Sequence, residues 1–177
     1  MKTQRLVLAG LFAAVIAVLA PWAIPLPFVP ISMQTLIIPL VASLVVWQVS
    51  LGATLVYILL GVIGLPVFAG GASGIGVLLG PTGGYLIFMP LFPLIIGLMT
   101  ALKRNTTTLV ASNVIAAIVQ LFLGTVWLIL AAHMTWSSGF SVGFTIFIIP
   151  TLLKVAIVIL LTFAIAKALK LPLGKQR

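Results

Sequence analysis

The sequence predicts an all-α polytopic membrane protein with six transmembrane helices. Of its 177 residues, 63% are hydrophobic and only 5% are charged, and the mean hydropathy is +1.44. Soluble domains are about 45–50% apolar and about 25% charged. Six apolar segments approach the roughly 20 residues that a helix needs to cross the hydrocarbon core. We therefore expect residues 1–177 to form a single six-helix membrane domain.

The predicted spans follow one another with short connections that are rich in proline, glycine and tryptophan. They cover residues 5–21, 33–49, 51–66, 85–102, 107–132 and 145–170, and the third is somewhat short. The basic start and apolar run of the first span resemble a signal peptide. Ala20-Pro21-Trp22 is a poor cleavage site, however, so we interpret this segment as a retained first helix.

The positively charged residues support an even number of spans. All but one of them flank the predicted helices, namely Lys2, Arg5, Lys103, Arg104, Lys167, Lys170, Lys175 and Arg177. With six spans and a cytoplasmic N-terminus, all of these lie on the cytoplasmic side, as the positive-inside rule requires. We expect a multi-pass protein of the cell membrane with both termini in the cytoplasm and with external loops after the first, third and fifth spans.

The composition excludes several classes of function. All nine charged residues are Lys or Arg, and since they mark apolar segments, we expect no nucleic-acid binding. There is no Cys, no carboxylate side chain and only one His, so neither an enzyme nor a metal or cofactor site is predicted. The segment "GPTGGY" lacks the lysine and hydroxyl of a nucleotide-binding loop. A binding or permeation protein remains, with any energy supplied by partners.

The segment "GGASGIGVLLGPTGGY", residues 70–85, interrupts the apolar pattern between the third and fourth spans. Irregular backbone is tolerated at membrane depth only where it is buried in protein or lines a wet cavity. Glycine-rich backbone can also present free N–H groups to a solute. The length of the segment and its two glycine clusters favour a re-entrant cap over a flexible external turn.

Lys154 is the one charged residue predicted to lie inside the membrane. It is 13 positions before Lys167, which corresponds to roughly 20 Å along a helix. A charge there costs about 2.5–3.5 kcal/mol on insertion scales unless it finds a partner. Since the chain has no Asp or Glu, the candidates are the terminal carboxylate, a lipid, backbone carbonyls or a bound anion. Our hypothesis is an anionic substrate, and the alternative is that Lys154 reaches the outer headgroups or is partly neutral.

The amides within the predicted spans include Gln34 in the second, and Asn113 and Gln120 in the fifth. Amides in membrane bundles usually form interhelical hydrogen bonds. Gln34 is the better candidate for a ligand contact because it follows the proline-rich loop. His133 is expected at the membrane interface.

The first span carries a stripe of small residues, Ala9, Ala13 and Ala17, with Gly10 and Ala14 beside it. Small residues at intervals of four let another helix approach closely. The stripe serves either internal packing or the docking of a partner subunit.

Three motifs, taken together, resemble a known family. They are "VPISMQTL" at residues 29–36, "GLPVFAGG" at residues 64–71 and "LLGPTGGY" at residues 78–85. In order and spacing they look like the BioY family, the biotin-specific substrate-binding components of energy-coupling factor transporters.

The resemblance implies a bacterial six-helix protein that binds a vitamin from outside under the loops after the first and third spans. It further implies no ATPase activity of its own and three partners, a transmembrane coupling subunit and two cytoplasmic ATPase subunits. On this likeness Ala9, Ala13 and Ala17 become partner-docking candidates, and the glycine-rich loop becomes the lid.

The chain departs from the family pattern at three places. The family typically has "PGDxxK" in its last span, whereas Thr151 stands here at the position of the Asp, three residues before Lys154. "WQVSLGA" replaces a frequent "GPRxG", and Ala72 stands where a polar residue is common. The loss of the carboxylate removes a good acceptor for the N–H groups of a ureido ring. The ligand is then biotin held by a changed set of hydrogen bonds, or a related vitamin or precursor that bears a carboxylate.

The sequence thus predicts a substrate-binding subunit for biotin or a similar carboxylate. Lys154 is assigned to the anionic or carbonyl oxygen of the ligand, and Thr151 and Gln34 to polar contacts. The closing loop is assigned to Gly70, Gly71, Gly83, Gly84 and Tyr85, and the apolar walls to Tyr85 and Trp22. Two rival hypotheses are a self-sufficient facilitator or channel and a structural membrane subunit that binds no ligand.

Overall fold

A computed structural model describes residues 2–27, 29–103 and 105–170, and these residues form nine α-helices and one short hairpin. The helices are α1 Lys2–Leu19, α2 Gln34–Leu44, α3 Trp47–Val62, α4 Ile75–Leu79, α5 Gly83–Ile87, α6 Leu91–Leu102, α7 Thr106–Ala131, α8 Trp136–Phe140 and α9 Ile146–Ala168. The antiparallel strands are β1 Ala23–Ile24 and β2 Ile31–Ser32. A 3₁₀ turn spans Ala69–Gly71, and a π-helical turn, Ser141–Thr145, leads from α8 into α9.

Six apolar helical segments follow one another in the predicted order. Within the described residues, three are long and apolar enough to cross a membrane: Gly83–Leu102, Thr106–Ala131 and Trp136–Ala168. The other three, Thr3–Leu19, Gln34–Leu44 and Trp47–Val62, are shorter. The all-α prediction is confirmed, whereas the short hairpin was not predicted.

The boundary between the second and third predicted spans lies earlier than expected. The backbone is extended at Val45 and Val46, so α2 ends at Leu44 and α3 already begins at Trp47. The 11 residues of α2 rise only about 16 Å, roughly half of the hydrocarbon core. Helix α2 alone is therefore too short to cross the hydrocarbon core.

Helix α2 lies at the centre of the bundle and contacts α1, α3, α6, α7 and α9. The amide of Asn113 on α7 donates hydrogen bonds to Ser43 Oγ on α2, at 3.1 Å, and to Leu109 O, at 2.9 Å. Asn113 is therefore an interhelical contact.

The alanine stripe of α1 faces α3. Ala9 and Ala13 are buried, and Ala17 is half-buried against the same core. A Cβ atom added to Gly52 of α3 would lie 3.3 Å from Ala9 Cβ, which shows how closely the two helices approach. These alanines therefore serve internal packing, which corrects their assignment to partner docking. The small residues that α1 exposes are Gly10 and Ala14.

The loops after α1 and α3 meet at one end of the bundle. Met33 N donates to Trp22 O at 2.9 Å and closes the hairpin, and Gly70 N donates to Pro21 O at 2.9 Å. The opposite end holds the start of α1 and the ends of α6 and α9, and there the described chain carries Arg5, Lys103, Lys167 and Lys170. Arg104, Lys175, Arg177 and the side chain of Lys2 lie outside the described residues.

Candidate functional site

A cavity of about 130 Å³ lies at the end of the bundle where the loops meet. It is bounded by the hairpin, the start of α2, the loop after α3, α5, α7 and α9. Its apolar walls include Phe68, Leu86, Met89, Leu121 and Phe147. Polar side chains reach it from several elements, namely Ser32, Gln34, Thr35, Thr82, Gln120, Thr151 and Lys154. This combination of apolar walls and a few polar groups is typical of a small-molecule site.

Among the described residues that line this cavity, only Lys154 on α9 is positively charged. Its Nζ atom donates hydrogen bonds to Ser32 O, at 2.5 Å, and to Thr35 Oγ1, at 2.8 Å. The ammonium group has three N–H donors, so one remains for a ligand. One of the partners for Lys154 considered from the sequence, a backbone carbonyl, is therefore present in the structure. The threonine hydroxyl group is a second partner that was not considered.

Thr151 lies one helical turn before Lys154 and lines the same cavity, because residues three apart share a face of a helix. Within the described chain, its hydroxyl group has no hydrogen-bond partner. The hydroxyl group is therefore free to donate to a ligand or to accept from it.

Gln34 lines the cavity, and its amide also belongs to a chain of hydrogen bonds. Ser32 Oγ donates to Gln34 Oε1 at 2.8 Å, Gln34 Nε2 donates to Tyr57 Oη at 2.5 Å, and Tyr57 Oη donates to Val67 O at 3.1 Å. Tyr57 is fully buried in α3 and was not identified from the sequence. The chain of bonds connects the hairpin beside Lys154 to the loop after α3.

Tyr85 lines the cavity, while its hydroxyl group is bonded elsewhere. Tyr85 Oη donates to Gly143 O at 3.0 Å and lies 3.1 Å from Thr125 Oγ1. Its backbone carbonyl accepts a hydrogen bond from Gln120 Nε2 at 2.7 Å. Tyr85 thus joins α5 to α7 and to the π-helical turn.

The loop glycines shape the cover of the cavity without lining it. Gly70 and Gly71 have φ angles of +69° and +77°, which L side chains rarely adopt, and they allow the 3₁₀ turn. Gly83 and Gly84 are buried at the start of α5, where an added Cβ would lie 1.8 Å from Leu78 O or 2.2 Å from Trp127 Cβ, respectively. They allow close packing of the loop.

The loop that carries these two pairs of glycines folds over the cavity. Ala69, just before the first pair, lines the cavity, and so do Ala72 and Val77 between the pairs, the last from α4. The segment between the glycine clusters is therefore a short helix packed at the site.

Trp22 lies away from the cavity, which corrects its assignment to an apolar wall. Its side chain is 72% exposed. Only its backbone carbonyl takes part in the hairpin, through Met33 N, and the residue lies just before β1. The indole ring is therefore directed to the surface.

Comparison with known proteins places these features in a family. The model of the family described as BioY matches residues 1–171. The chain belongs to the BioY family. This confirms the resemblance inferred from the motifs of the proline-rich and glycine-rich loops.

Curated BioY relatives cover nearly the whole chain. Biotin transporter BioY2 of Lactococcus lactis subsp. cremoris is 40% identical over 169 residues, which are 95% of this chain and 93% of that protein. Biotin transporter BioY of Thermotoga maritima is 35% identical over 164 residues, covering 93% and 96%. The probable biotin transporter BioY of Pyrococcus horikoshii is 32% identical, covering 91% and 95%.

A solved structure shares the fold of this chain. It is the S-component for biotin from an ECF-type ABC transporter, and it superimposes with a TM-score of 0.83 over 94% of this chain and 92% of that chain. The two sequences are 24% identical, so the comparison shows the fold. Together with the curated relatives and the apolar helices, it supports a multi-pass membrane protein with a predominantly helical fold.

Proposed function

We propose that this chain is the substrate-binding component of an energy-coupling factor transporter and that its ligand is biotin. The observation that carries the proposal is the cavity at the loop end of the bundle, with one lysine amine among apolar walls, in a BioY protein. Relatives and a structural neighbour with matching length are named for biotin.

The cavity is suited to a ligand that brings its own negative charge or a strong acceptor. The sequence has no Asp or Glu, so the Lys154 amine has no side-chain carboxylate with which to pair. A charge-assisted hydrogen bond to a ligand oxygen contributes about 1.5–3 kcal/mol. We assign this contact to Lys154, and we assign further polar contacts to Thr151 and Gln34. Phe68, Leu86 and Tyr85 contact the apolar parts of the ligand.

The loop after α3 is proposed to close over the bound ligand. Its backbone is attached to the hairpin loop through Gly70 N and Pro21 O, and its side chains already form one wall of the cavity. A cytoplasmic location of both termini, expected from the positive-inside rule, places this end of the bundle outside. Capture is then external, and release follows a change in the populations of the open and closed forms.

Transport is proposed to need a transmembrane coupling subunit and two ATPase subunits, since no nucleotide-binding motif was found in the sequence. The chain reconstituted alone should bind biotin but not concentrate it in vesicles. Accumulation against a gradient by the chain alone would contradict this part of the proposal and favour a self-sufficient transporter.

The test of the proposed function is a titration of biotin into the purified chain in detergent, in parallel with Lys154→Met. The matched control is Lys167→Met, which removes an exposed lysine on the same helix that does not line the cavity. We expect the parent and Lys167→Met to bind alike, and Lys154→Met to bind on the order of 10- to 100-fold more weakly. A folded parent that does not bind biotin would overturn the proposal, and equal binding by all three proteins would remove Lys154 from the site.

A further inference from the structure

We infer that Gln120 is a specificity-determining residue whose side-chain oxygen accepts a hydrogen bond from an N–H group of the ligand ring. The inference rests on the proposed function, because it concerns the ureido ring of biotin, which carries two such groups. Gln120 is a contact that selects for this donor and discriminates against a ligand that lacks it.

The orientation of the Gln120 amide follows from its neighbour. Its Nε2 atom lies 2.7 Å from Tyr85 O, and a carbonyl oxygen can only accept. The amide nitrogen therefore faces Tyr85 O, and Oε1 is on the opposite side of the amide group. The usual uncertainty between the two ends of a glutamine amide is resolved by the chemistry of this single contact.

The Oε1 atom is available to the cavity. Gln120 is only 2% exposed, and it lines the cavity. No buried side-chain oxygen or nitrogen in the described part of the chain is left without a partner. No donor to Gln120 Oε1 is found among the described residues, so this oxygen is not fully buried. Because Gln120 lines the cavity, the oxygen is accessible from there. A ligand that fills the cavity would therefore leave it unpaired unless the ligand donates a hydrogen bond.

A break between two helices makes Tyr85 O available to Gln120. In a continuous helix this carbonyl would accept from Met89 N, four residues later. Instead, α5 ends at Ile87, and Met89 N donates to Leu86 O. The Tyr85 carbonyl is thus a free acceptor inside the protein, and Gln120 satisfies it. The break and the glutamine together form a built site that fixes one acceptor.

The other acceptors of the cavity are less suited to select a donor. Gln34 Oε1 already accepts from Ser32 Oγ, and Thr35 Oγ1 accepts from Lys154. The hydroxyl group of Thr151 rotates, so it can donate as readily as it accepts. Gln120 Oε1 accepts no hydrogen bond from the described residues, and an amide oxygen cannot donate one. In a chain with no carboxylate side chain, this fixed neutral oxygen is the acceptor that rejects a ligand without the N–H group, because the oxygen would then be buried unpaired.

The experiment compares three ligands on three proteins. The ligands are biotin and its two derivatives that carry a methyl group on one or the other ureido nitrogen. The proteins are the parent, Gln120→Met and the control Asn113→Leu. Asn113 is a buried amide seven residues away on α7 that bonds to Ser43 and does not line the cavity. The measured quantity is the ratio of the Kd of each methylated ligand to that of biotin.

We expect one of the two methylated ligands to bind the parent on the order of 10- to 100-fold more weakly than biotin. In Gln120→Met this ratio should fall to about 3 or less, whereas Asn113→Leu should keep the parental ratio. If Gln120 had a purely structural role, Gln120→Met would weaken the binding of all three ligands equally and leave the ratio unchanged. Only a direct contact couples the effect of the substitution to the effect of methylating the ligand.

Two results would overturn the inference. One is a parent that binds biotin and both methylated ligands equally, and this needs no variant to fold. The other is an unchanged ratio in Gln120→Met. Both differ from failure of the proposed function, in which a folded parent does not bind biotin at all.

Discussion

The packing of Phe68 on Gly61 leads to the most direct test of the cavity wall. Phe68 is 1% exposed, lines the cavity and packs edge-on against Tyr57, with ring centroids 5.9 Å apart. A Cβ atom at Gly61 would lie 2.1 Å from Phe68 Cζ. This is about 1.3 Å short of the 3.4 Å at which ordinary carbon contacts begin. Gly61→Ala must therefore displace the ring.

The displaced ring has two neighbours, Tyr57 and the cavity, so the substitution should reduce both stability and affinity. Overpacking of this kind costs about 1–3 kcal/mol. We expect Gly61→Ala to lower the free energy of unfolding by this amount and to weaken biotin binding by about 10-fold. Thermal unfolding in detergent and a biotin titration measure the two effects.

A matched control and a compensating variant make this prediction sharp. Gly76→Ala adds the same methyl group to α4, where nothing lies within 4 Å, and it should leave both measurements unchanged within error. Phe68→Leu shortens the side chain that clashes. The double variant should therefore show a favourable coupling of about 0.5–3 kcal/mol in stability. If Gly61→Ala matches the parent in both assays, the ring is not held against Gly61 and the argument fails.

Two further predictions concern the orientation of the chain and its partner surface. Because the chain has no Cys, Ser137→Cys in α8 and Thr107→Cys at the start of α7 each introduce one exposed thiol. An impermeant maleimide added to intact cells should label the first and not the second, and the reverse pattern would invert the proposed orientation. Ala14 is exposed on α1, whereas Ala13 is buried. Ala14→Leu should therefore reduce the amount of coupling subunit that co-purifies with the chain and leave biotin binding intact. Unchanged co-purification would exclude this face of α1 as the docking surface.

The sequence predicted the helical segments well because apolar length and basic flanks are properties of the segments themselves. It did not predict the end of α2 correctly. Residues 33–49 form one apolar run, and nothing in its composition marks the extended backbone at Val45 and Val46. In a segment that is apolar on all sides, periodicity does not distinguish a helix from an extended stretch.

In the candidate site as well, the sequence predicted what depends on one segment and missed what depends on how segments pack. Lys154 was identified because a lone charge in an apolar span needs a partner wherever the helix packs. The alternative roles of the stripe at Ala9 and Ala13 could be separated only by knowing that α3 covers it. The role proposed for Gln120 depends on the free carbonyl of Tyr85, which exists because a helix ends two residues later. Sequence spacing carries no signal of such a break.

The hydrogen bonds around the hairpin join the two loops over the cavity into one network. Lys154 Nζ donates to Ser32 O, and Ser32 Oγ begins the chain of bonds that passes through Gln34 and Tyr57 to Val67 in the loop after α3. Because Tyr57 Oη both accepts and donates, each bond in this chain supports the next. The two loops are therefore held together by buried side chains that lie next to Lys154, the residue to which we assign the ligand contact.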